Sequence, residues 1–192
     1  IYVLMAWVGI IVVAKALKLE KYGFELKAYS LVYKNKSVND VLIKVLGRTK
    51  RGIKVFADLS VIAGFLMMGF AFYFLLNNVS NYFVAPDGFS ELTVLIPGVT
   101  LTSAPAITYF LLSIPIVLVM HEGAHGIVAA LEKIKIKTGG FAIFIALFAG
   151  FVEPDEEEFE KAKKISKLRV IGAGATSNVL FAIVLGAIML TN

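Results

Sequence analysis

The sequence predicts an α-helical polytopic membrane protein, with four transmembrane helices and a membrane-dipping β-hairpin on the cytoplasmic side. Three observations predict it. The chain of 192 residues is 58% apolar and only 17% charged, with a mean hydropathy of +0.82. An average soluble domain is roughly 45–50% apolar and about 25% charged, so a purely water-soluble fold is excluded. Residues 1–14, 55–76, 107–131 and 170–190 are nearly free of charge, and about 20 apolar residues, rising roughly 1.5 Å each, cross a hydrocarbon core of about 30 Å. Finally, all 19 basic residues lie in two segments, 11 in residues 15–54 and 8 in residues 132–169, with none in residues 77–106. The positive-inside rule places those two segments in the cytoplasm and the middle loop outside. The net charge of +5 is therefore a statement of orientation, and nucleic acid is not expected as a partner. Cysteine is absent, which excludes disulfides, thiolate metal sites and cysteine nucleophiles.

The elements follow in order. Residues 1–14 start with Ile and read as the inner end of a span whose beginning has been cut away. They are no signal peptide, because no basic region precedes them and Lys15 and Lys18 follow. Residues 15–54 mix Leu17, Tyr22, Phe24, Tyr29, Leu31 and Tyr33 with lysines, as suits an interfacial segment whose lysines snorkel to phosphate, or a solvated linker with no catalytic task. Residues 55–76 form the second span. Asp58, one turn inside it, either stays wet or pairs with Lys54 at i, i+4. The outer loop, 77–104, ends with Thr102 or Ser103 as a helix cap and Pro105 in the first turn. In the third span, 105–131, Pro115 deprives the carbonyl of Leu111 of its partner and predicts a kink.

Residues 132–169 combine a re-entrant hairpin with a cytoplasmic amphipathic helix. Lys133 to Lys137 alternates with period two, Thr138-Gly139-Gly140 is expected to turn, and the apolar run 141–152 is too short to span as a helix. A hairpin at that depth must pack on protein or line a wet cavity, which makes it a candidate substrate platform; an interfacial helix or ordinary loop is the alternative. Asp155 and Glu158 stand at capping-box spacing, and Glu157/Lys161 and Glu160/Lys164 are i, i+4 pairs on a solvated face. The fourth span, 170–192, opens with Gly172, Ala173, Gly174, Ala175, Thr176, Ser177 and Asn178, small residues that permit close helix contact, with Asn178 a polar anchor.

The chemistry lies in His121-Glu122-Gly123-Ala124-His125, an HExxH pattern that uses both histidines of the chain. On a helix, positions i and i+4 lie about 40° apart in projection, so the two imidazoles can share one cation with Glu122 beside them. Zinc suits neutral imidazole, and a catalytic site keeps a position for a water whose pKa the metal lowers to about 7. Glu122 would take the proton of that water and deliver it to a leaving amine. A structural metal or a buried polar network is the competing reading, but an acid inside a membrane helix costs about 2.5–3.5 kcal/mol on insertion scales and such residues usually mark function. The histidines fall in the inner half of the third helix, which places the chemistry toward the cytoplasmic side of a cell-membrane protein.

These residues resemble the site-2 proteases, intramembrane zinc metalloproteases, and their archaeal and eukaryotic branch most closely. The likeness runs from about Leu95: Pro97-Gly98-Val99, the HExxH core with Gly126, Gly139-Gly140-Phe141, and Arg169 followed by Ala173-Gly174 and Asn178. The resemblance implies that His121 and His125 are zinc ligands, that Glu122 is the acid/base, and that the hairpin offers an edge strand to an unwound transmembrane protein substrate in the lipid bilayer. Two departures accompany it. The Leu-Asp-Gly motif that supplies the family's third ligand is absent, and Ala173-Gly174-Ala175 stands where the family has Ala-Gly-Pro. The expectation is the N-terminal part of a longer protease whose third ligand lies beyond Asn192, or a form that cannot hydrolyse peptides. The rival functions are a non-catalytic protein or fragment that binds transmembrane segments with an incomplete metal site, and a metal transporter. The transporter lacks the acidic or histidine path through several spans that translocation needs.

Overall fold

The computed structural model describes residues 2–145 and 147–191. Helix α1 (Tyr2–Ala16) leads through a 3-10 turn (Leu19–Tyr22) to strands β1 (Phe24–Leu26) and β2 (Leu31–Asn35), then to the long helix α2 (Val38–Val84). A short turn (Pro86–Gly88) and loop precede α3 (Ala104–Leu131). Strands β3 (Ile136–Phe144) and β4 (Leu147–Pro154) follow, then α4 (Glu156–Lys161) and α5 (Lys164–Leu190). Helices α2, α3 and α5 are long and apolar enough to cross a membrane, whereas α1 is a shorter apolar helix. Where the sequence predicts four spans, three helices among the described residues are of spanning length.

Each spanning helix turns large apolar side chains outward: Leu66, Val119 and Met189 are all more than two-thirds exposed. In water such surface would drive association, whereas in hydrocarbon it is solvated. The inner faces are small. Ala57, Ala124, Val128, Ala129, Val170 and Ala173 form the core where the three helices meet. A Cβ at Gly172 would strike the backbone carbonyl of Ser60, and one at Gly64 would lie 3.6 Å from Gly172 Cα, so the small residues at the head of the fourth span do bring α2 and α5 into backbone contact.

Helix α2 has 47 residues, about 70 Å at 1.5 Å per residue and more than twice a hydrocarbon core. Thr49 leaves the helical region (φ −136°, ψ 27°) and breaks α2 within its basic stretch, between Lys44 and Arg48 on one side and Lys50, Arg51 and Lys54 on the other, before the apolar run that begins at Val55. The 15–54 segment is structured, with two strands and a helical part, where an unstructured linker was one of the two expectations. β1 and β2 extend the expected hairpin to a four-stranded antiparallel sheet of order β1-β2-β3-β4. Trp7 of α1 donates its indole N–H to the Ala28 carbonyl at 2.8 Å and packs with Leu31, anchoring α1 to the sheet.

The hairpin turn is also displaced. Gly139 and Gly140, expected to turn, lie inside β3 opposite Val152 and Phe151, and the chain reverses at Ile145. Ala146 lies outside the described residues. The glycines serve close approach instead of reversal: a Cβ at Gly140 would run into the Tyr33 carbonyl of β2, and one at Gly139 would press on Val38 at 3.2 Å.

Where α3 ends, Arg169 of α5 donates to Glu132, the residue that caps α3, at 2.9 Å, and to Asp58 of α2. Ser166 also donates to Glu132. Asp58 thus pairs across helices with Arg169 and not, among the described residues, with Lys54. The planar guanidinium meets two carboxylates at once, which a solvated i, i+4 lysine would not do. The surface helix is shorter than expected, since α4 stops at Lys161 and α5 begins at Lys164. Asp155 caps α4 by accepting from the Glu158 N–H, which holds its carboxyl below the usual carboxylate range. Glu157 and Lys161 pair as expected, while Lys167 donates to the Glu160 carbonyl.

Candidate active site

Helix α3 starts where its sequence allows, with Ser103 accepting from the Ala106 N–H and Pro105 in the first turn, and continues through Pro115 to the HExxH turn. Because α5 runs antiparallel to α3, its successive inward positions meet α3 at successive levels. Ser177 donates to the Met120 carbonyl at 3.0 Å, Asn178 reaches His121 Nδ1 at 3.0 Å, and the Val170 carbonyl lies 2.6 Å from His125 Nδ1.

Those two contacts orient the imidazoles. A carbonyl can only accept, so His125 donates from Nδ1–H, and its Nε2 carries the free lone pair. At His121, the Asn178 Oδ1 is buried without another partner among the described residues. With the amide turned so that Oδ1 accepts from Nδ1–H, that oxygen is satisfied and the second Nε2 is freed as well. The rings stand edge to face with centroids 4.8 Å apart. Both Nε2 atoms converge on the space above Gly174, where a Cβ would lie 2.6 Å from His121 Nε2 and against His125 Nε2. The missing side chain leaves a hollow at close to metal–ligand distance, about 2.0–2.1 Å for zinc and imidazole. The residues present therefore fit a small cation with nitrogen preference. Among the described residues no third His, Cys, Asp or Glu joins the pair.

Glu122, between the histidines, faces the sheet. Its carboxylate has no hydrogen-bond partner among the described residues, and strand β4 crosses it at Gly150, where a Cβ would lie 2.8 Å from Glu122 Cγ and 3.4 Å from Leu118 Cβ. A cavity of about 510 Å³ opens between α3 and the sheet, with Pro115, Leu118 and Glu122 on one wall and Phe141, Phe148 and Phe151 on the other. Its lining is almost wholly apolar, with Glu122 the charged group in it. β4 is an edge strand of the sheet, so one side of its backbone is free to pair.

The structure thus brings together all three residues singled out in the sequence, His121, Glu122 and His125. It also adds four groups that residue patterns assign to packing: Gly174, Gly150, the Val170 carbonyl and the amide of Asn178. A glycine or a main-chain carbonyl carries no local signal of such a role; Asn178, a polar residue in an apolar span, carries one. No solved structure matches the chain. Residues 109–192, which hold the HExxH turn, the β3–β4 hairpin and α5, match the family model described as Peptidase family M50, in keeping with the resemblance to the site-2 proteases.

Proposed function

We propose that this multi-pass membrane protein is an intramembrane zinc metalloendopeptidase, hydrolysing peptide bonds within or near transmembrane segments of membrane-protein substrates, toward the cytoplasmic side. The observation that carries the proposal is the convergence of two oriented Nε2 atoms on the hollow at Gly174, one residue from a carboxylate that lies under an edge strand. His121 and His125 would hold the zinc ion, which when bound polarises a carbonyl oxygen and supplies a water acidic near neutral pH.

The chain's own residues do the rest. Glu122 accepts the proton of the attacking water at its carboxylate and passes it to the leaving amine. A peptide bond inside a helix has its carbonyl occupied, so the substrate must be extended before attack. The free edge of β4 offers replacement backbone hydrogen bonds, and the apolar cavity takes the side chains. Gly150 lets that strand pass directly over Glu122. The concentration of basic residues in 15–54 and 132–169 supports a cytoplasmic position for the sheet.

The test is cleavage of a membrane-embedded substrate by the zinc-loaded protein and by Glu122→Gln. A loss of about 10²–10⁴-fold with unchanged zinc content is expected. Equal cleavage by both would overturn the role of Glu122. The two-donor metal set favours a second reading, a non-catalytic protein that binds transmembrane segments, and substrate binding without cleavage by the zinc-loaded protein would select it.

A further inference from the structure

Arg169 lies outside the HExxH motif and beyond the cavity, yet both terminal nitrogens of its guanidinium and its main-chain carbonyl are bonded. Its guanidinium spans Glu132 at the end of α3 and Asp58 in α2, and its main-chain carbonyl accepts from Ser60 Oγ at 3.2 Å. Ser60 is fully buried, and its one hydroxyl proton is shared between that carbonyl and the nearer Ala57 carbonyl at 2.8 Å. The next residue along, Val170, supplies the carbonyl that accepts from His125 Nδ1 at 2.6 Å. The peptide that orients His125 is thus gripped immediately on its N-terminal side by both other spanning helices. One helix turn further on, Gly174 must face both Nε2 atoms. Asn178, which meets His121, lies nine residues from Arg169 on α5, about 13 Å along the axis at roughly 1.5 Å per residue, so a loosening at Arg169 falls first on Val170 and His125.

We propose that Arg169 is a positioning residue for His125: by tying the first turns of α5 to Asp58 and Glu132 it fixes the local backbone that holds the Val170 carbonyl on His125 Nδ1. It touches neither a metal nor a substrate. The inference rests on His125 being a metal ligand, and it assigns to the ion network a task beyond holding the helices together. Arginine suits it because its planar fork meets two carboxylates at fixed angles, where lysine would act as a point charge. His121 provides an internal control, since it is oriented separately by Asn178.

The experiment uses the full chain in detergent or nanodiscs, with ¹⁵N-labelled histidine for imidazole NMR without metal, and with Co²⁺ as the spectroscopic probe. In Arg169→Gln the His125 signals are expected to lose the single Nδ1–H tautomer while His121 keeps its own, and Co²⁺ should bind about 10–100-fold more weakly with an altered visible spectrum. Arg169→Lys should fall between. A merely structural role would leave both histidines unmoved in the folded variant, or disturb both alike, and either result overturns the proposal. Should Arg169→Gln fail to fold, Ser60→Ala keeps the ion network and removes only the hydroxyl on the Arg169 carbonyl. It should shift His125 in the same sense and weaken Co²⁺ several-fold, and unchanged behaviour overturns the proposal. Failure of the unaltered chain to take up Co²⁺ would overturn the metal site itself, and this inference with it, whereas normal uptake that Arg169→Gln leaves intact overturns this inference alone.

Discussion

Replacing Gly174 by alanine adds one methyl group at the point where the two imidazoles converge. Its Cβ would lie 2.6 Å from His121 Nε2 and 2.8 Å from His121 Cδ2, against His125 Nε2 on the other side, where ordinary contact begins at 3.4 Å. The overlap with His121 is thus about 0.8 Å before any relaxation, within the range where overpacking costs about 1–3 kcal/mol. The backbone of α5 cannot easily retreat, being held at Val170, Ser177 and Asn178, so the rings must swing away. The metal-free variant should therefore fold with a melting temperature lowered by about 2–4 °C for each kcal/mol. Metal binding should suffer far more, because the methyl occupies the hollow itself. Zinc measured by plasma emission spectrometry is expected to fall from about one ion per chain to less than about a tenth of that, a loss of at least about 1.4 kcal/mol in binding. Gly186→Ala is the matched control on the same helix, since a Cβ there meets nothing within 4 Å. If Gly174→Ala kept full zinc content, the cation would not sit between the two Nε2 atoms above α5 and the site described here would be misplaced.

Other perturbations separate the parts of the site. Gly150→Ala places a Cβ 2.8 Å from Glu122 Cγ; it should lower kcat by about 5–150-fold, the equivalent of about 1–3 kcal/mol, while zinc content stays constant, and an unchanged kcat would remove β4 from the acid/base arrangement. Asn178→Ala deprives His121 of the group at its Nδ1 and should weaken zinc about 10–100-fold in a competition titration with a chromophoric chelator; equal affinity would make Asn178 a packing residue only. Leu42→Ala, at a buried side chain beside Gly126, should destabilise the fold by about 2–5 kcal/mol in thermal or denaturant unfolding. A change below about 0.5 kcal/mol would mean that the α2–α3 contact contributes little.

Apolar runs of spanning length, the two basic segments and the HExxH spacing are all local properties. They were legible because bilayer thickness, helix pitch and the chemistry of imidazole and carboxylate act on neighbouring residues. Helix α3, a cap at Thr102 or Ser103 and the paired histidines could therefore be read from the chain alone. The β3–β4 hairpin was legible from its local alternation, but the strands of residues 15–54 were harder, since they join it only through contacts far apart in sequence, such as Tyr33 with Phe141. Gly139-Gly140 was misplaced as a turn for the same reason, because the demand for glycine there comes from the backbone of β2. Asp58 likewise took a partner 111 residues away in place of its helical neighbour. The sequence by itself determined which side chains could bind a cation and move a proton. Only the tertiary structure decided that they face one hollow, because orientation of an imidazole depends on what meets its other nitrogen. Here that is a carbonyl and an amide on α5, and the hollow is the side chain that Gly174 does not have.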